Sequence, residues 1–247
     1  MNKINVFYHV FWKKNSESII IDQFSKIKFL EEKIENIDFY INFALEENSI
    51  KPSETILNLF ESITRNITFS PSNLYELSTL DLLQKHAIKN NDQYYLYFHT
   101  KGATRILDQD YGNYSYKNVE NWRNIMEHFC IDHYNICIEE LKNYDIVGCN
   151  YIPSGSVPGS TAHFSGNFWW SKSEFLSSLP SISEYLLKTT SPDRFFAEFW
   201  VGMVRHQAVC LYPVLKPILE KHNRCFSFTA ESDYKNKIIK NYFKNYL

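Results

Sequence analysis

Three short stretches of this 247-residue chain carry side chains with chemical potential. His99-Thr100-Lys101-Gly102 follows an apolar run and sets a cation where a strand would end. A lysine ammonium suits phosphate oxygens as a point charge, and glycine lets the backbone approach closely. Arg105 follows as a second cation. Glu198 lies within Arg194-Phe195-Phe196-Ala197-Glu198-Phe199-Trp200, a carboxylate amid large apolar residues. Burial there would raise its pKa toward the working range of a general base. Ser165-Gly166-Asn167-Phe168-Trp169-Trp170 joins a permissive glycine, an amide and paired indoles, which are platforms for sugar faces; His163, just upstream, offers a ligand or donor. These types match three needs of one reaction: charge neutralisation on a leaving diphosphate, a base for an acceptor hydroxyl, and a pocket of polar hands and stacking faces.

Further candidates sit beside other elements. Tyr8 and His9 would border a nucleotide base, and Asn73 and Glu76 would bind the nucleotide or donor sugar. Each candidate also has a plainer explanation. Lys101 could be a solvated turn residue, Glu198 a surface acid on a helix, and the tryptophans core. Asn73 and Glu76 could be a helix cap and a first-turn acid. The metal is unassigned, with Mn²⁺ or Mg²⁺ as the open choices. Asp108-Gln109-Asp110 has the letters of a metal motif but lies in a loop, and the competing arrangement joins His99 to Asp108, Asp110 or His163. No H-E-x-x-H, paired cysteines, P-loop, G-x-G-x-x-G or G-x-S-x-G signature occurs.

The elements that must position these residues alternate. Apolar, β-branched and aromatic runs at 4–10, 37–44, 67–69 and 94–99 read as strands. Helical spacing covers 16–36, 52–63 and 76–90, so the first hundred residues form βαβα units with a mostly parallel sheet. Ligands in such sheets sit beyond the carboxyl ends of the strands, which would gather His9, Asn73 and His99–Lys101 on one rim. In the second half, a helix is expected at 119–143, a strand at 145–150, a strand from 163 to 171 entering a helix at 172–179, a helix from 192 to 210, and a helical tail at 232–247. The expected fold is a single α/β domain of GT-A, Rossmann-like type: a central, mostly parallel mixed sheet of six to eight strands flanked by helices. Its nucleotide-binding half spans about 1–105 and its acceptor and catalytic half about 106–231.

Composition narrows the class. A formal charge of −2 gives no footprint for nucleic acid. Only 7 glycines rule out glycine-rich phosphate loops as the organising device. The sequence shows no signal peptide and no apolar run long enough to span a bilayer. Five cysteines, none in a C-x-x-C pair, read as reduced thiols. A cytoplasmic protein is expected, with the inner membrane face as a peripheral location.

Taken together, these residues resemble the rhamnan synthesis protein F family and related rhamnosyltransferase-like domains. Tyr94, Leu96, Phe98 and His99-Thr100-Lys101 stand for the family's Leu-His-Thr-Lys, and Trp122-Arg123 for its Trp-Arg. Asn73-Leu74-Tyr75-Glu76 stands for Asn-x-Gly-x-Asp, with Tyr75 in place of glycine and Glu76 in place of aspartate. Phe164 to Trp169 stands for Gly-x-x-Phe-Trp, with Asn167 at a usually small or hydroxyl position, and Glu198 for a late helical acid. The resemblance runs from about residue 4 to 210. It implies an inverting glycosyltransferase acting on a UDP-, dTDP- or GDP-sugar, with L-rhamnose or another hexose as donor and a surface glycan or lipid-linked glycan as acceptor. Lys101, with His99 or Arg123, would neutralise the diphosphate, and Glu198 would deprotonate the acceptor. The alternative is a catalytically silent sugar- or nucleotide-binding domain in a glycan assembly complex.

Overall fold

The computed structural model describes residues 2–13, 16–49, 51–104, 116–156, 159–188, 193–212 and 240–245. Its elements run β1 (Ile4–Trp12), α1 (Glu17–Lys33), β2 (Ile37–Leu45), α2 (Glu54–Glu61), β3 (Asn66–Pro71), α3 (Leu77–Lys89) and β4 (Tyr94–His99). There follow α4 (Tyr116–Glu127), α5 (Tyr134–Leu141), β5 (Ile146–Gly148), β6 (Tyr151–Ile152), β7 (His163–Phe164) and β8 (Trp169–Lys172). The remainder is α6 (Ser173–Ser178), α7 (Ile182–Lys188), α8 (Arg194–Phe199), β9 (His206–Cys210) and β10 (Asn241–Asn245).

Eight strands form one sheet in the order β10-β9-β5-β8-β4-β1-β2-β3, and β6 and β7 form a separate ribbon. Strands β3, β2, β1 and β4 are all parallel, as are β5 and β9, whereas β8 and β10 run against their neighbours. The carboxyl ends of β1, β3 and β4 therefore share a rim, as the sequence pattern predicts. The chain steps outward from β1 to β3 and then returns to β4 on the other side of β1. That reversal sets α1 and α2 against one face and α3 against the other, since parallel crossovers are right-handed.

Strand alternation fills the two faces separately. Ile4, Val6, Tyr8 and Val10 pack with Leu96, Phe98 and Trp170 beneath α1, α2 and α4. Phe7, Tyr95, Tyr97 and Trp169 pack with Leu77, Leu80, Leu83 and Phe175 beneath α3 and α6. Both faces are covered, which is why β1 reads as a mostly apolar run interrupted only by Asn5 and His9. The local signals agree: Ser53 caps α2 by accepting the Ile56 amide, and Ile20, Ile27 and Leu30 form the buried stripe of α1.

The second half adds β6 and α7, which were not expected, and alters four of the expected elements. The helix expected at 119–143 is interrupted by a π-helical turn at His128–Asp132. The strand expected at 163–171 is broken into β7 and β8 by a turn at Ser165–Phe168. The helix expected at 192–210 ends at Phe199, passes through a 3₁₀ turn, and gives way to β9 between β5 and β10. The described part of the expected helical tail is the strand β10, antiparallel to β9. Arg105, Asp108, Asp110 and Cys225 lie outside the described residues. Cys130, Cys137, Cys149 and Cys210 are buried thiols. Among the described residues no helix is long and apolar enough to cross a membrane.

Candidate functional site

Where β4 turns away from β1, the sheet carries a row of polar side chains. Thr68, Asn42, His9 and His99 are register neighbours on β3, β2, β1 and β4. Two residues earlier the corresponding row is aromatic, Tyr40, Phe7 and Tyr97. The change from apolar to polar falls at the topological reversal between β1 and β4, where open α/β sheets form their crevice.

Each buried polar atom in this row needs a partner. Asn42 Nδ2 donates to Thr79 Oγ1 at 2.9 Å, and Thr79 lies 2.7 Å from His9 Nδ1. An amide nitrogen only donates, so the Thr79 oxygen accepts from Asn42 and uses its remaining hydrogen-bonding capacity on His9. Burial lowers the His9 pKa to about 4 and keeps the ring neutral. His99 is buried too, and desolvation first, then the charge of Lys101, lowers its pKa to about 3. Its Nε2 lies 2.9 Å from the carbonyl of Gly166, an acceptor, so Nε2 carries the proton and Nδ1 presents a lone pair.

Two carboxylates reach this row from different elements. Glu76, at the start of α3, accepts from the Tyr97 hydroxyl at 3.0 Å and from Asn167 Nδ2 at 2.5 Å, both on Oε2. Its other oxygen stands 3.7 Å from His99 Nδ1. Burial raises the Tyr97 pKa, so the phenol stays protonated and donates. Glu198, on α8, accepts the Gly166 amide at 2.9 Å and is partly exposed rather than buried as its apolar neighbours suggest. Gly166 therefore ties Glu198 to His99 through its own N–H and C=O. Its φ is +95°, which strains any other residue, and a Cβ there would push on Met126 and Trp122.

The turn after β4 is held from beneath. Thr100 N donates to His9 O, and Phe11 N to Thr100 Oγ1 at 2.8 Å, which extends the β1–β4 pairing past His99. Lys101 Nζ stands 4.1 Å from the centre of the Trp122 ring. Arg123 Nη1 donates to Lys101 O at 3.0 Å, and its Nε lies 3.5 Å from Glu127 Oε1. Gln23 donates to both Glu127 and His99 O, and Tyr8 donates to Gln23. Burial raises the Glu127 pKa to about 7.

Several expected roles change with this geometry. Arg123 is 3% exposed and braces the turn from behind, so it does not present its guanidinium to a diphosphate. Tyr8 is fully buried on the α1 face, stacked on Phe98, and does not border a base. Trp169 and Trp170 are both 0% exposed, one in each core, and offer no stacking face. Trp169 instead donates its indole N–H to Asn167 Oδ1 at 2.7 Å. His163 is buried, with Nδ1 donating to Thr161 O and its ring against Phe199. Asn73 is exposed in a 3₁₀ turn and does not cap α3. Ser165 is partly exposed, its amide on Asn150 O.

The geometry brings together His9, Glu76, His99, Thr100, Gly166, Asn167 and Glu198, with Lys101 on the adjoining turn. It adds Asn42, Thr79 and Tyr97, which the sequence alone did not single out. Tyr97 had a signal, since residues two apart on a strand share a face. Asn42 had one as a polar residue inside an apolar strand. Arg194 is exposed at the start of α8, and its charge lowers the His99 pKa from a position open to solvent. Among the described residues no group of three or more His, Cys, Asp or Glu side chains is placed to hold a metal.

No curated protein matches the sequence. Among solved structures, the chain is similar to the crystal structure of 4-diphosphocytidyl-2C-methyl-D-erythritol synthase, with a TM-score of 0.33 and 8% identity over 76% of this chain and 84% of that one. A family model described as a domain of unknown function, DUF8361, matches residues 7–211, and the chain belongs to that family.

Proposed function

We propose that the chain is a nucleotide-sugar-dependent glycosyltransferase of inverting type. The observation that carries this reading is the joining of Glu198 and His99 through Gly166, with Glu76 facing His99 and Lys101 on the turn that follows, at the reversal point of a Rossmann-like sheet. Glu198 takes the proton of the acceptor hydroxyl, whose oxygen attacks the anomeric carbon as the bond to the diphosphate breaks. The electrons of that bond leave on the diphosphate, where Lys101 and Arg194 offset the growing charge. The Gly166 amide holds one Glu198 oxygen, and no other hydrogen bond to this carboxylate occurs among the described residues, leaving the second for the acceptor.

A backbone detail supports the family resemblance. Tyr75 adopts φ +51°, ψ −137°, a conformation costly for any residue but glycine, where the resembled family carries glycine. The same resemblance weights the donor toward L-rhamnose or another hexose on UDP, dTDP or GDP, and the acceptor toward a surface or lipid-linked glycan; the unpaired cysteines among the described residues weight the location toward the cytoplasm. The half of about residues 1–105 would hold the nucleotide, and the remainder the acceptor.

A thermal-shift panel of UDP-, dTDP- and GDP-sugars tests the reading. One donor at 100 times its Kd should stabilise the protein by about 2.7 kcal/mol. A panel in which no nucleotide sugar shifts the transition up to millimolar concentration ends it.

A further inference from the structure

The hydrogen-bond pattern around Glu76 and His99 leaves two acceptors facing one another. Trp169 Nε1 can only donate, so it fixes Asn167 with Oδ1 toward the indole and Nδ2 toward Glu76. With Tyr97, that amide loads Glu76 Oε2 with two donors, and Oε1 is the oxygen that faces His99 Nδ1. The Gly166 carbonyl fixes the His99 proton on Nε2. Carboxylate oxygen and imidazole lone pair then stand 3.7 Å apart with no proton between them, too far for a hydrogen bond.

We propose that Glu76 Oε1 and His99 Nδ1 together accept the two hydroxyls of a vicinal diol on the ligand. The hydroxyl oxygens of a gauche diol stand somewhat closer together than these acceptors. Each therefore donates outward to its own partner at about 2.7–2.8 Å. A divalent metal fits less well: the pair supplies two ligands, no further His, Cys, Asp or Glu completes a set among the described residues, and the positive charges of Lys101 and Arg194 act on His99. The diol belongs either to the ribose of the nucleotide or to the transferred sugar. This assignment rests on the nucleotide-sugar reading and names what Glu76 and His99 recognise within it.

The test uses the full chain and two substitutions. Glu76→Gln keeps the shape of a side chain that is 24% exposed, while neutralising the acceptor charge. His99→Gln places an amide donor near the Nε2 position toward Gly166 O and removes the Nδ1 acceptor. Calorimetric titrations use UDP and GDP, their 2′-deoxy forms, and UDP-glucose, dTDP-L-rhamnose and GDP-mannose. Losing a hydrogen bond to the charged or fixed acceptor should weaken binding about 10- to 100-fold. If the sugar supplies the diol, both variants weaken the nucleotide sugars and leave the free diphosphates within 2-fold or so of wild type. If the ribose supplies it, both variants weaken UDP or GDP, and the 2′-deoxy forms bind wild type as poorly. Variants that bind every ligand like wild type overturn the proposal. So does Mn²⁺ or Zn²⁺ alone stabilising wild type but neither variant. If no nucleotide binds wild type, the glycosyltransferase reading fails separately, and methyl α-L-rhamnopyranoside in saturation-transfer NMR decides the diol. A signal abolished in both variants supports the proposal, and no signal in wild type overturns it.

Discussion

His99 should make folding stability fall on acidification by an amount its surroundings fix. The ring is buried, its Nε2–H is committed to Gly166 O, and its folded pKa of about 3 lies far below the ordinary 6.5. The unfolded chain binds a proton readily below pH 6.5 and the folded chain does not, so protonation favours unfolding. The contribution is intact above that pH and is lost progressively as pH falls toward 3. Between pH 7 and pH 5 the loss is roughly 2 kcal/mol, and any folded pKa under about 4.5 gives nearly the same figure. His9 adds a loss of the same sign. Glu127 opposes both, because its raised carboxyl pKa stabilises the fold as pH falls through about 7. A difference of differences isolates His99: denaturant unfolding of wild type and His99→Gln at pH 7 and pH 5. Whatever constant cost the substitution carries cancels, and the variant should lose about 2 kcal/mol less than wild type on acidification. Equal losses in the two proteins would mean that His99 titrates freely, against the burial that holds its pKa down.

Other substitutions bear on the frame and the chemistry. Gly166→Ala forces a side chain into positive φ and against Met126, and should cost about 2–5 kcal/mol in denaturant unfolding; a loss under about 0.5 kcal/mol would contradict the packing. Arg123→Met leaves Glu127 buried without its cation and should cost about 3–5 kcal/mol, recovered in part when Glu127→Gln is added. Lys101→Ala should lower turnover by roughly two to three powers of ten while EDTA leaves wild type nearly unchanged. Activity abolished by EDTA, restored by Mn²⁺ and indifferent to Lys101→Ala would place the diphosphate on a metal instead.

The parallel half of the sheet was legible because its central strands β1 and β4 are buried on both faces. The runs at β1, β2 and β4 are apolar at almost every position, and the intervening helices carry clear stripes. The second half was harder because short strands there gain their pairing from distant partners. Segment His206–Cys210 is a strand because β5 and β10 flank it, which no local signal states. The adjacent Tyr242 and Phe243 carry neither a helical nor a strand period, and pairing with β9 decides. The tryptophan pair held a signal that went unused. Adjacent residues on a strand point to opposite faces, so two neighbouring indoles in β8 fill two cores and cannot form one platform. Arg123 and Glu127, four apart on α4, likewise carried the spacing of an ion pair in the sequence. His99, Glu76, Asn167 and Glu198 were identified by residue type, but their connection through Gly166 and Tyr97 required the fold.

Donor turnover by Glu198→Gln tests the central claim most directly. With the nucleotide sugar that most stabilises the protein, release of nucleoside diphosphate is followed for wild type and variant, and donor affinity is measured calorimetrically on both. Removing a general base should slow release by about 10²- to 10⁴-fold, while the amide that replaces the carboxylate leaves donor affinity within 2-fold or so. Equal release rates in the two proteins, or no donor turnover by wild type, would contradict the account.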